Sequence, residues 1–107
     1  MSEAVKHDQA GRRFTIEVDG EVVGFTEFRE LEDQRIFFHT EVDKSQSGKG
    51  LAGKLVTEAL DQTVADGKRI VAVCPFVAKT VERSDTWSDH VDPVTDAVKD
   101  FLRSELQ

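Results

Sequence analysis

The sequence predicts an α/β domain: an antiparallel meander that runs into a parallel βαβ crossover and ends in two helices. Three observations carry this expectation. Phe14–Val18 and much of Glu21–Phe28 alternate apolar and polar side chains around Asp19-Gly20, a two-residue hairpin signal. Leu51, Leu55 and Ala59, with Ala52, Val56, Leu60 and Val64, recur at helical spacing. This helix lies between two strand-like runs, Arg35–Val42 and Arg69–Val73, and such a crossover is right-handed with its strands parallel.

Met1–Gln9 is polar and predicts no element, so the hairpin opens the fold. A polar stretch, Glu30–Gln34, leads into the third strand, where Ile36, Phe37 and Phe38 put apolar groups on both faces. That pattern suits a central strand covered on each side. The helix after Asp43–Lys49 turns Lys54, Glu58, Asp61 and Gln62 to water, and Gly67 ends it. Arg69–Val73 is a short buried strand that stops at Cys74-Pro75. Pro75 suits the first position of a helix reaching about Arg83, and it holds Cys74 extended. Ser84–His90, with Trp87, is a loop or short turn. Asp92-Pro93 repeats the helix-start signal, and Val94, Val98, Phe101 and Leu102 supply the stripe of a last helix ending near Leu106. The expectation is one domain over residues 1–107, its core at about 13–90 and its terminal helix at about 92–106.

With 107 residues and 38% hydrophobic composition, the chain is large enough for one core. Cys74 is its single cysteine, which excludes an internal disulfide and a cysteine zinc cage. No His or carboxylate spacing suggests a metal, and Trp87, His90 and His7 read as packing or surface residues. Apolar runs fall far short of the ~20 residues that span a bilayer, so a soluble, cytoplasmic protein with no membrane partner is expected. A net charge of −7 opposes a nucleic-acid backbone. Against this acidity, Lys44–Thr57 carries +3, with Lys44, Lys49 and Lys54 interleaved with Gly48, Gly50 and Gly53. An anionic ligand is the natural partner of such a segment.

Gly48-Lys-Gly-Leu-Ala-Gly53 matches GxGxxG between a strand and a helix. The acid that would bind a ribose ~20 residues later is missing, and the chain is too short for a doubly wound sheet. Gly48–Lys54 also fits GxxxxGK, but Leu55 stands where a phosphate loop needs a hydroxyl for magnesium. What remains is a helix N-terminus whose amides are open to a phosphate or pyrophosphate.

Together with His39-Thr40-Glu41-Val42 and Cys74-Pro75-Phe76-Val77, this turn resembles the HTxV, GxGxA and CxxV motifs of the GNAT superfamily of acetyl-CoA-dependent N-acetyltransferases, in particular its short single-domain members. The resemblance covers about Phe14 to Trp87. It implies a small GNAT-like fold whose two parallel strands splay, admitting the pantetheine arm of acetyl-CoA. Backbone near Thr40 and Val42 would pair with that arm. Backbone of Ser47, Gly48, Lys49, Gly50, Leu51, Ala52 and Gly53 would hold the pyrophosphate, with Lys49 and Lys54 as supporting cations. The helical insertion that usually follows the first strand and often shapes the acceptor pocket is missing.

Three side chains are candidates for chemistry. His39, the only histidine in a predicted strand, is either a base for the incoming ammonium or a structural residue at the strand end. Glu41 shares its parity and is a second candidate base or an exposed carboxylate. Cys74 precedes a helix N-terminus, which favours thiolate; it is a general acid for departing CoA, a nucleophile, or a small core residue. The expected function is acyl-CoA-dependent N-acyl transfer, with acetyl passing directly to an unidentified amine acceptor and no metal taking part. The alternative is a non-catalytic module that binds CoA or a protein partner on the same scaffold.

Overall fold

The computed structural model describes residues 2–46 and 48–107. In chain order the elements are β1 (Glu3–Asp8), β2 (Arg13–Val18), β3 (Glu21–Leu31), β4 (Gln34–Val42), α1 (Leu51–Ala65), β5 (Arg69–Ala72), α2 (Pro75–Glu82), β6 (Val91–Asp92) and α3 (Asp96–Glu105). The strands form one sheet in the order β1-β2-β3-β4-β5-β6. The meander from β1 to β4 is antiparallel, and β4–β5 and β5–β6 are parallel. Asp19 and Gly20 close the β2–β3 hairpin with φ of 52° and 87°, as a tight turn of matching twist requires.

An inner core between the sheet and the α1 and α2 side collects Phe14, Ile16, Phe28, Phe37, Leu55, Leu60, Ile70 and Val77. On the outer face α3 lays Val98 and Leu102 on Ile36 and Val71. Apolar groups on both faces of β4 therefore mark the centre of the sheet, as expected. Arg35 is 2% exposed on the inner face, with Phe14 and Phe28 against its guanidinium. It donates to Glu30 at 2.9 Å, Asp66 at 3.0 Å and Thr63 at 3.3 Å. A buried cation is tolerated only when its donors are satisfied in this way.

Three expectations need correction. The N-terminal segment is a strand: β1 pairs with β2 from Glu3↔Val18 to Asp8↔Arg13, and His7 stacks on Phe14 with ring centroids 4.4 Å apart. His39 is therefore not the only strand histidine. Val91–Asp92 forms a sixth strand, where Asp92 accepts from Arg69 at 2.8 Å and Gln34 at 2.9 Å. Asp92 is thereby held in the sheet, and the last helix starts at Asp96 instead of Asp92-Pro93. Its N-cap is Thr95, whose hydroxyl accepts from the Val98 amide at 3.2 Å. Val94 is left outside the helix and exposed. Among the described residues, no helix is long and apolar enough to cross a membrane.

Candidate active site

The site begins with a fault in the β3–β4 ladder. Thr26 pairs with Thr40 and Glu27 with His39, but Phe28 pairs with Phe37, which leaves Phe38 as an extra residue on β4. Such a bulge bends the strand and breaks regular pairing. On its other side β4 pairs with β5 only as far as Phe37↔Ala72. The Phe37 carbonyl then accepts from both Val73 and Cys74 amides, at 3.0 and 2.9 Å. From His39 to Val42, β4 is paired with β3 alone, and its ladder with β5 does not continue.

The glycine turn stands beside Val42, at the end of β4. Gly50 is the N-cap of α1 with φ 72°, a conformation that penalises a side chain, and no side chain caps the helix. The amides of the first turn keep their donors for another partner. A Cβ added at Gly48, Gly50 or Gly53 would meet no atom within 4 Å, so the space in front of the turn is open. This turn, Val42, Gln46 and Phe76 wall a cleft of about 300 Å³. Of the expected cofactor residues, Val42, Gly48, Gly50, Leu51, Ala52 and Gly53 line this cleft and Thr40 does not, while Ser47 lies outside the described residues. Leu51 also sends its side chain into the inner core. Lys49 donates to Gln46 at 3.1 Å, and Lys54 pairs with Glu58 at 3.6 Å and Glu3 at 3.9 Å. Neither lysine is part of the cleft wall.

The three candidate side chains fall into two groups. Cys74 is the N-cap of α2 and 5% exposed; its Sγ donates to Thr40 Oγ1 at 3.4 Å, and that hydroxyl lies 2.9 Å from Thr26 Oγ1. Thr40 faces inward, because its partner Thr26 is paired with the core residue Phe14. His39 faces outward, its Nε2 3.5 Å from Glu41 Oε1 and its ring 5.9 Å from that of Phe25. Thr40 and Cys74 are therefore brought together on one face of β4, and His39 and Glu41 on the other.

Sequence reasoning missed three contributors. The Phe38 bulge has no local signature, since it depends on the register with β3. Thr26 reaches Thr40 through that same pairing. Phe76 stands inside the Cys74-Pro75-Phe76-Val77 motif, but its place on the cleft wall and its 40% exposure come only from the way α2 packs.

Residues 13–91 match the GCN5-related N-acetyl-transferase family. The fold is similar to the solution structure of a GCN5-like protein from Staphylococcus aureus, at TM-score 0.64 and 19% identity over 87% of this chain and 91% of that one. It is also similar to a ribosomal-protein-alanine N-acetyltransferase from Brucella melitensis biovar Abortus, at TM-score 0.53 and 28% identity over 64% of this chain. That alignment spans 53% of the Brucella protein, about half its length. No curated protein matches the chain in sequence.

Proposed function

The chain belongs to the GCN5-related N-acetyl-transferase family, and from that premise we propose that it moves the acetyl group of acetyl-CoA onto a primary amine by direct attack. The observation that carries this reading is a coincidence in space. A capless helix N-terminus fronted by glycines and a half-strand freed from its parallel neighbour share one cleft.

The first-turn amides of α1 suit a pyrophosphate, and no glycine side chain stands in its way. The unpaired edge of Phe38–Val42 suits the amide-bearing arm, which would add to β4 as a short strand does. When bound, acetyl-CoA supplies an acyl group activated as a thioester. Side chains on the two faces of β4 then divide the proton traffic. On the outer face His39, oriented by Glu41, takes a proton from the arriving ammonium. On the inner face the Cys74 thiol, within reach of the Thr40 hydroxyl, protonates the leaving sulfur. A C–N bond forms and a C–S bond breaks; of the two protons that the ammonium loses, one is balanced by the new thiol and one passes to solvent.

The test is CoA release from acetyl-CoA with and without a panel of amines, in the parent and in His39→Ala. Amine-dependent release is expected, with kcat in His39→Ala reduced by roughly 10²-fold and acetyl-CoA affinity retained. The deficit should shrink at high pH, where the amine arrives already neutral. CoA binding with no amine-dependent release would leave the non-catalytic module as the function.

A further inference from the structure

We propose that β1 is a self-pairing edge: two copies of the chain join β1 to β1, antiparallel about a two-fold axis at Val5, and run their sheets together as one. In the strand order β1 stands at one end of the sheet and, among the described residues, pairs with β2 alone. The two ends of the sheet are built differently. β6 is two residues long and Pro93 follows it, which leaves little for another strand to pair with. β1 has six residues, with no proline, glycine or bulge. Its one lysine, the usual guard of an edge, is drawn back over β2 by Glu17 at 3.2 Å.

The register of β1 on β2 decides which backbone groups are free. The Asp19 amide donates to the Ser2 carbonyl at 2.7 Å, so these two form a bonded pair, and Glu3↔Val18 and Ala4↔Glu17 continue the ladder. Bonded and non-bonded pairs alternate along an antiparallel ladder. Ser2, Ala4, Lys6 and Asp8 therefore direct their backbone groups to β2, while Glu3, Val5 and His7 turn theirs to the open edge. A second β1 must meet these three with its own three and keep the core-facing side chains on one side. Registers centred on Ala4, Val5 or Lys6 are those that engage more than one of the three. Centring on Val5 makes about six backbone hydrogen bonds, against about four for the other two. It sets Val5 on Val5, Glu3 on His7 and Ala4 on Lys6, with no like charges opposed, whereas centring on Lys6 opposes two ammonium groups. This self-complementary pattern makes the partner a second copy of the chain. Because each copy offers one such long edge, the pairing closes at two.

Sedimentation equilibrium of the full chain, with amide hydrogen exchange at low and high concentration, tests this. The interface is smaller than a standard one, so a dissociation constant on the order of 100 µM is expected, with the mass rising from one chain toward two and no further. Protection of the Glu3, Val5 and His7 amides should rise with concentration, while that of Ala4 and Lys6, already bonded to β2, should change little. Val5→Pro removes the central outward amide at a place where an edge strand tolerates proline, and should weaken association by about tenfold or more. Ala4→Lys keeps a favourable cross-strand partner in Glu17 but meets Lys6 of the other copy, and should weaken association roughly fivefold. Circular dichroism checks that each variant is folded; should Val5→Pro unfold, Ala4→Lys decides. A chain that stays monomeric at every concentration, with or without a foreign extended peptide on the edge, would overturn the proposal. So would association that continues past two, protection that rises at other strands instead, or a dimer that either folded variant leaves unchanged.

Discussion

At Gly50 the backbone conformation and the anion site depend on the same missing side chain. With φ at 72° any other residue is strained by about 1 kcal/mol, and an aspartate there would set its carboxylate where a phosphate belongs. Gly50→Asp should therefore remove CoA binding in a titration while circular dichroism shows a folded protein, with Gly50→Ala losing less. A Gly50→Asp variant that binds CoA as the parent does would place the phosphates elsewhere. Cys74, buried and hydrogen-bonded to Thr40, sits where a proton donor serves better than a nucleophile. Incubation with acetyl-CoA alone should leave no stable acetyl adduct on the intact mass, and Cys74→Ser should slow transfer without abolishing it. An adduct that an amine discharges, with ping-pong kinetics, would establish a covalent route. At this scale the motifs mark the glycines, His39 and Cys74 as candidates from the sequence alone. They do not mark the Phe38 bulge, because register is a property of two strands together.

Among elements, legibility followed the strength of local signals. β2, β4, α1 and β5 have periodic apolar residues and sharp stops, and each lies within a residue or so of its expected bounds, whereas β3 runs three residues past Phe28 to Leu31, into the polar stretch expected to connect the strands. β1 has one strongly apolar residue, Val5, and owes its conformation to the β2 ladder and to the His7–Phe14 stack. β6 is two residues fixed by Arg69, and the pull of that pair on Asp92 moves the start of α3 to Thr95. Thr95→Ala should cost about 1 kcal/mol in chemical denaturation, whereas a cap at Asp92 would make this change neutral. β1 carries its own pH signature. Burial, then the neighbouring Arg35, holds the His7 imidazole below its ordinary 6.5. The unfolded chain takes the proton more readily, so this contribution is fully present above pH 6.5 and is lost as pH falls toward the folded value. Asp92, lowered by its bond from Arg69, loses its contribution only below 3.8, which separates the two effects. The melting temperature should decline from pH 7 to 5 in the parent and decline less in His7→Phe. Parallel declines would assign the effect to other groups.

The whole molecule is a six-stranded sheet clad by α1 and α2 on one face and by α3 over part of the other. The uncovered part of the outer face holds His39, Glu41 and a cavity of about 460 Å³, and the inner edge holds the glycine cleft. Composition and charge carry no information on which faces stay open, since that depends on where α3 lands. The most direct test of the central claim is a thermal-unfolding titration with CoA, run beside ATP and a nicotinamide dinucleotide. Saturation at ~100 times the dissociation constant should add roughly 2.7 kcal/mol, a rise of several degrees for a domain of this size, and Gly50→Asp should abolish it. No rise at millimolar CoA, or a larger rise with ATP or the dinucleotide, would contradict the account.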